Sequence, residues 1–165
     1  MAYLNSIATA LPGHRISQED VLAILAKARG AALPGRLKQI LGNSGIEHRY
    51  LACDPSYYLE PRSWPERGAV YARVGGELAQ QAAAAALAKA AVTPAEIDAI
   101  IMVSTTGTMT PSIPSRMIDA MGFRQSVQTV PVFGYGCAGG ILGLRLAKAL
   151  ATAGAGQTGR LIARG

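Results

Sequence analysis

The stretch DAIIMVSTT, residues 98–106, constrains the fold of this chain more than any other. Its apolar residues form one continuous run and do not alternate with polar ones. Such a run is typical of a β-strand that is covered on both faces, as in a sheet with helices on either side. Helical patterns flank it along the chain. Strands that alternate with helices predict a layered α/β fold.

The remaining segments follow the same alternation. Further strands are predicted at residues 2–12 (AYLNSIATALP), 46–52 (IEHRYLA), 126–135 (SVQTVPVFGY) and in the final GRLIARG, residues 159–165. Ser17 followed by Asp20 is a capping pattern for a helix that stops at Gly30. Other helices are predicted at 35–43, from about 65 to 91, around 114–121 and over 138–154, with one capped turn at 93–96. The stretch 53–66, with three prolines, is expected to be an irregular loop.

Two of these helices have recognisable core positions. The long helix at about 65–91 is expected to bury the stripe Val70, Val74 and Leu78, and its alanine tract at 82–86 allows close packing. The helix over 138–154 is expected to leave Arg145 and Lys148 outside the core. It is expected to bury four residues, which are Leu142, Leu146, Ala149 and Leu150.

Composition and charge limit the classes of function. The chain has 165 residues, 50% of them hydrophobic and 16% charged, which is enough for one domain with a sizeable core. The net charge of +6 is spread along the chain without a block of like charges. This fits an anionic small molecule or a solvated surface better than a nucleic acid, for which no binding motif is present.

Cysteine usage and hydropathy indicate a reducing environment. The two cysteines, Cys53 and Cys137, cannot build a disulfide framework and lack the spacing of metal ligands. No window approaches 18 uninterrupted apolar residues, and the N-terminus has no basic region typical of a signal peptide. We therefore expect no metal, no cofactor, no membrane span and a cytoplasmic protein.

The segment VFGYGCAGG, residues 132–140, is the main candidate for function. Gly134, Gly136 and Gly139 match the G-x-G-x-x-G spacing of dinucleotide-binding loops, but no acidic residue follows Asp119 to hold a ribose. The same turn delivers Cys137 between a strand and a helix, as expected of a nucleophile. The hydrolase elbow fits only in part, because Tyr135 stands where that motif has glycine. A buried cysteine in a glycine-rich junction remains the structural alternative.

Four motifs in this region resemble the type III polyketide synthases, the chalcone and stilbene synthase family of the thiolase fold. They are STTG at 104–107, Pro111, GCAGG at 136–140 and LRLAK at 144–148, with weaker similarity over 3–12 and 44–50. The resemblance implies the N-terminal half of a two-half, thiolase-like layered α/β/α fold. Residues 1–165 are then expected to be a single N-terminal domain that is truncated before the C-terminal half.

The resemblance implies that Cys137 is the nucleophile of an acyltransferase. Its thiolate would take an acyl group from coenzyme A and release it to a carbanion formed by decarboxylation of malonyl-coenzyme A. The turn glycines Gly134, Gly136, Gly139 and Gly140 would let substrate and backbone approach, and backbone N–H groups would face the developing oxyanion. Because a helix begins behind it, Cys137 is expected to be alkylated at lower pH than Cys53.

The resemblance also implies binding residues. Thr105, Thr106 and Gly107 match positions that line the substrate cavity, and Thr110 matches the loop that closes the partner's cavity in a homodimer. The structural alternative for each threonine is a hydroxyl that satisfies the end of a strand. Arg36 matches a residue that contacts coenzyme A phosphates, but two further basic positions are replaced here by Gln39 and Asn43. That departure is compatible with an acyl carrier protein as the donor or with different phosphate anchors. The structural alternative for Arg36 is an ordinary solvated helix residue.

The family's catalytic histidine and asparagine have no counterpart among these residues. His14 and His48 do not match the position and are expected to be surface or structural residues. The chain alone is therefore expected to be inactive in condensation and to associate as a dimer or larger species. A ketoacyl synthase III-like condensing enzyme of fatty-acid initiation and a non-catalytic dimerisation or binding half remain alternatives.

Overall fold

A computed structural model describes residues 2–153 and the backbone of residues 161–164. The chain divides into two compact units. Unit A is Leu11–Val70, and unit B consists of Met1–Ala10 and Tyr71–Gly165. The interpretation of residues 1–165 as one domain stays a prediction.

Unit A contains a two-stranded antiparallel sheet and three helices. Strand β1 (His14–Ser17) leads into α1 (Gln18–Arg29), then α2 (Gly35–Gly42), β2 (His48–Leu51) and α3 (Trp64–Val70), and β1 pairs with β2. The predicted capping box is confirmed, because the Ser17 hydroxyl accepts the Asp20 N–H at 3.0 Å while the Asp20 carboxylate accepts the Ser17 N–H at 3.0 Å. The stop at Gly30 is confirmed by its left-handed φ of 67°. A short 3₁₀ helix, Pro55–Leu59, lies in the stretch predicted to be irregular.

Unit B is built on a three-stranded parallel sheet. Its elements are α4 (Gly76–Ala90), β3 (Ala99–Ser104), α5 (Ile113–Met121), β4 (Gln128–Phe133), α6 (Gly139–Ala153) and β5 (Leu161–Arg164). The strand order is β4-β3-β5, so the predicted apolar strand is the central one. A single turn at Pro94–Glu96 precedes it, with the predicted capping box between Thr93 and Glu96. The predicted final strand is present as β5, and residues 159, 160 and 165 of that prediction lie outside the described residues.

The central strand β3 is covered on both faces, as its apolar run predicts. Ile100 and Met102 pack in one cluster with buried residues of α4 and α5, including Ala83 and Met117. Ile101 and Val103 pack on the other face with Val132 and with Leu142, Leu146, Ala147 and Leu150 of α6. Of the predicted core face of α6, Ala149 alone is exposed, and Ala147 takes its place.

Two predictions of local structure are wrong. Residues 2–12 form no strand, and their large apolar side chains are exposed, Tyr3 to 80%. Within unit B this segment is attached to α4 by two hydrogen bonds, each between a side chain and a backbone carbonyl, and not by the backbone hydrogen bonds of a sheet. The Ser6 hydroxyl donates to the Ala86 carbonyl at 2.8 Å, and the Lys89 ammonium donates to the Ile7 carbonyl at 3.0 Å.

The long helix predicted for residues 65–91 is divided by a π-helical turn at Tyr71–Gly75. A π turn holds more residues than an α turn, which changes the face that later side chains present. Of the predicted stripe, Val74 is buried as expected, whereas Val70 and Leu78 are only half-buried. The buried residues that follow Val74 are Ala79, Ala83 and Leu87.

Candidate active site

Two loops at the same edge of the parallel sheet carry most of the predicted site residues. Ser104, the last residue of β3, is paired in register with Phe133, the last residue of β4. The loop that carries Thr105 and Thr106 therefore begins beside the turn that carries Cys137. The carboxyl ends of parallel strands are where open α/β sheets place their binding and catalytic groups.

Cys137 lies in a 3₁₀ turn, Gly136–Ala138, between β4 and α6, and it is exposed. Gly134 and Gly136 have φ values of 91° and 51°, in the left-handed region that favours glycine. These two glycines let the chain reverse sharply after β4 and leave the thiol in solvent. The alternative of a buried structural cysteine is wrong for this turn.

The glycines on the other side of Cys137 have different roles. A Cβ atom at Gly139 would lie 2.4 Å from Val103 Cγ1, and one at Gly143 would lie 2.9 Å from Val103 Cγ2. The first turns of α6 therefore rest directly on β3. A Cβ at Gly140 would meet nothing within 4 Å.

The first residue of α6 follows Cys137 by two positions. The N–H groups at the start of a helix lack intrahelical partners, and the helix dipole places partial positive charge there. No acidic residue lies in the first turn of α6 to oppose that charge. The turn is therefore suited to the oxyanion that forms when a thiolate attacks a thioester.

The loop after β3 is fixed by a hydrogen-bonded chain that sequence reasoning missed. The Tyr71 hydroxyl donates to Ser104 Oγ at 3.0 Å, and the Ser104 hydroxyl donates to the Gly107 carbonyl at 2.7 Å. Thr105 and Thr106 lie inside this closed loop, and both are exposed. Because 33 residues separate Tyr71 from Ser104, no local sequence pattern signals the contact.

A cavity of about 360 Å³ opens beside this loop. Its lining includes Tyr71, Ser104, Gly107, Thr110 and Phe133. The structure thus brings together Gly107 and Thr110 of the predicted site. Thr105, Thr106 and Cys137 do not line this cavity.

The remaining candidates lie in unit A. Arg36 is the second residue of α2 and is exposed, and within residues 2–153 it forms no ion pair. His14 begins β1 and His48 begins β2; both are exposed, as predicted for surface residues. In the described part of the chain, no three His, Cys, Asp or Glu side chains are grouped to hold a metal ion. No helix among the described residues is both long and apolar enough to cross a membrane.

The fold and the cysteine turn define a class of protein first. The parallel α/β sheet of this chain, with helices on both faces, is similar to the thiolase-like fold of the solved type III polyketide synthases. The tetrahydroxynaphthalene synthase of Streptomyces coelicolor A3(2) superposes with a TM-score of 0.82 at 28% identity, covering 93% of this chain and 44% of that one. The expected fold class, the N-terminal half of a thiolase-like α/β fold, is confirmed.

Sequence comparison then gives the family. The model of the FAE1/type III polyketide synthase-like protein family matches residues 16–163, and the chain belongs to this family. The 1,3,6,8-tetrahydroxynaphthalene synthase of Streptomyces peucetius subsp. caesius is 36% identical over 141 residues, which are 84% of this chain and 37% of that protein. The synthase of the same name from Streptomyces griseus is 34% identical over 142 residues, 85% of this chain and 38% of that one. The chain thus spans less than half the length of these relatives.

Proposed function

We propose that this chain carries the acyl-accepting half of a type III polyketide synthase, with Cys137 as the nucleophile. The exposed thiol on the turn between β4 and α6 is the observation that supports this most directly. The Cys137 thiolate attacks the carbonyl carbon of an acyl-coenzyme A thioester. The bond from that carbon to the coenzyme A sulfur breaks, coenzyme A leaves as its thiolate and takes a proton from water, and the acyl group remains on Cys137 as a thioester. Relatives at 36% and 34% identity are named 1,3,6,8-tetrahydroxynaphthalene synthases, and a solved synthase of that name is described as a type III polyketide synthase, which agrees with this chemistry.

The acyl group would lie along the loop after β3. Thr105 and Thr106 present exposed hydroxyls at the sheet edge next to the cysteine turn, and Gly107 and Thr110 line the neighbouring cavity. Thr110 would also reach the second subunit of a homodimer. Arg36, exposed and without an ion pair among the described residues, would contact a phosphate of coenzyme A or of a carrier-protein arm.

The second half of the reaction is decarboxylation of malonyl-coenzyme A and carbon–carbon bond formation. It would need the histidine and the asparagine that the family resemblance implies, in addition to Cys137. The two histidines of the sequence both lie in unit A, each at the start of a strand. We expect residues 1–165 to accept an acyl group and to form no polyketide by themselves.

The outer face of α6 supports an assembly in which this surface is covered. Ile141 and Leu144 are 74% and 55% exposed on the side of α6 that faces away from β3. Exposed apolar surface of this kind is typical of contacts with another protein surface. We propose a cytoplasmic homodimer, and we expect sedimentation at micromolar concentration to give a dimer or larger species. A clean monomer would contradict the assembly.

Acyl transfer is tested by intact-mass analysis after incubation with a medium-chain acyl-coenzyme A. We expect one acyl adduct per chain, which hydroxylamine removes because it is a thioester. Cys137→Ala should abolish the adduct, and the matched variant Cys53→Ala should retain it. An adduct that persists in Cys137→Ala, or that is lost in Cys53→Ala, would remove Cys137 from the mechanism.

A further inference from the structure

We propose that Tyr71 is a positioning residue for the loop that carries Thr105 and Thr106, and that it acts on this loop in two ways. Its ring packs directly against the backbone of Gly107, and its hydroxyl, through Ser104, links the two ends of the loop. Tyr71 touches neither Cys137 nor, in the proposed reaction, the reacting atoms. The inference rests on the proposed function for its effect on substrate, but not for its effect on the loop.

The packing of the Tyr71 ring explains why residue 107 is a glycine. A Cβ atom at Gly107 would lie 2.5 Å from Cγ and 2.6 Å from Cδ2 of the Tyr71 ring, closer than real carbon contacts allow. A Cβ at Gly75 would lie 3.6 Å from Tyr71 Cδ2, which is an ordinary contact distance, so the tight approach to the ring is at Gly107. The loop backbone therefore lies directly against the ring, and it cannot move inward.

The hydroxyl of the same side chain limits movement outward. It donates to Ser104 Oγ at 3.0 Å, which orients the Ser104 hydroxyl so that it donates to the Gly107 carbonyl at 2.7 Å. The ends of the Ser104–Gly107 segment are thus joined across Thr105 and Thr106. Linked hydrogen bonds of this kind polarise one another, so removing the first weakens the second.

The π-helical turn supplies the geometry that makes this contact. Tyr71 is its first residue and Gly75 its last, and π turns occur frequently at functional sites. Tyr71, Ser104 and Gly107 also line the cavity of about 360 Å³, so the same three residues form part of its wall. Loss of the Tyr71 hydroxyl would leave the ring in place and weaken the bond that the Ser104 hydroxyl donates to the Gly107 carbonyl.

Hydrogen–deuterium exchange of the 165-residue chain tests the effect on the loop. In Tyr71→Phe the loop should open more often, so the amides of residues 105–110 that the closed loop protects should exchange up to about fivefold faster, the factor that corresponds to the loss of one net hydrogen bond. Ser104→Ala removes both bonds and should have the larger effect, and the double variant should equal Ser104→Ala. Tyr3→Phe is the matched control, because Tyr3 is 80% exposed and should change nothing. Unchanged exchange in Tyr71→Phe and Ser104→Ala, or a uniform increase that includes α6, would overturn the proposal.

The rate of acyl loading tests the effect on substrate. Because Thr105 and Thr106 would contact the acyl group and not the reacting atoms, Tyr71→Phe should raise the acyl-coenzyme A concentration for half-maximal loading about fivefold. The maximal loading rate should stay within about twofold, and the same fraction of chains should load. If a smaller fraction of Tyr71→Phe chains takes up the acyl group while the half-saturating acyl-coenzyme A concentration is unchanged, the role of Tyr71 is merely structural. That result would overturn the proposed effect on substrate. If the wild-type chain takes no acyl group at all, the proposed function fails, and exchange alone decides whether Tyr71 positions the loop.

Discussion

The two units of this chain are stabilised in different ways. The buried apolar side chains among the described residues all lie in unit B, with the exception of Leu33. Unit A instead shows a series of capping interactions near its surface, in which Ser17, Ser56 and Ser63 hydrogen bond to Asp20, Asp54 and Glu66. The proposed nucleophile lies in the unit with the buried core, and the proposed phosphate contact lies in the other unit.

This difference indicates which functional group depends on fixed geometry. A nucleophile must be held close to its productive position, and a packed core provides that because interiors are close-packed. The proposed phosphate contact comes from Arg36, an exposed residue whose long side chain has many rotamers, so the position of its backbone needs less precision. The predictions below compare the two kinds of stabilisation, from the largest expected effect to the smallest.

The largest effect is expected from truncation of the central strand. Ile101 is fully buried in β3, and Ile101→Ala should lower the free energy of unfolding by about 2–5 kcal/mol, measured by urea titration with circular dichroism. Ile40→Ala in α2 is the matched variant of unit A, where the side chain is 56% exposed, and its cost should be within about 0.5 kcal/mol. Similar losses for the two variants would contradict the difference between the units.

The next effect separates two adjacent glycines of α6. Gly139→Ala places a Cβ 2.4 Å from Val103 Cγ1 and should destabilise unit B by about 1–3 kcal/mol through overpacking. Gly140→Ala meets nothing within 4 Å and should stabilise the helix by about 0.4–1 kcal/mol. Thermal unfolding measures both. Equal shifts for the two variants would mean that α6 does not rest on β3 as described.

A smaller effect is expected for the capping box of α1. Ser17→Ala should destabilise unit A by about 0.5–2 kcal/mol, since the Asp20 N–H loses its acceptor. Hydrogen exchange of the α1 amides, with α6 as the internal reference, would detect it. Unchanged exchange in α1 would show that the cap adds nothing.

The same cap predicts a pH dependence. The hydrogen bond from the Ser17 side chain holds the pKa of the Asp20 carboxyl below its ordinary value of 3.8. Hydrogen bonds from Ser56 and Ser63 likewise lower the pKa values of Asp54 and Glu66. A carboxyl whose folded-state pKa is depressed stabilises the fold above its unfolded value and loses that contribution as pH falls through the folded value. Protection of α1 should therefore decrease below about pH 3.8 in the wild type and less so in Asp20→Asn.

The parts of the structure that the sequence predicted well are those set by local patterns. The apolar run at 98–106, the capping serine at 17 and the glycines around Cys137 each act within a few residues, and the structure agrees with all three. The resemblance to the family was confirmed by comparison, although the role of each site residue stays a prediction.

The parts that could not be predicted depend on contacts between distant residues. The link from Tyr71 to Ser104 joins residues 33 apart, and Tyr71 is an unremarkable aromatic residue in the sequence. The segment 2–12 has an apolar composition that suggested a strand, but none of its side chains is buried. No local sequence pattern indicated the π turn at 71–75, and this turn changes which residues of α4 are buried.

The most direct test of the central claim is site-resolved alkylation before and after acyl transfer. Native protein at neutral pH is treated with iodoacetamide, and the two cysteine peptides are quantified by mass spectrometry. Cys137, exposed in the turn just before α6, should be modified faster than the half-buried Cys53. In denaturant the two cysteines should be modified at equal rates. Incubation with acyl-coenzyme A beforehand should protect Cys137 alone, and hydroxylamine should restore its labelling. Equal labelling of both cysteines in the native protein, or no protection of Cys137 by the acyl donor, would contradict the assignment of Cys137 as the nucleophile.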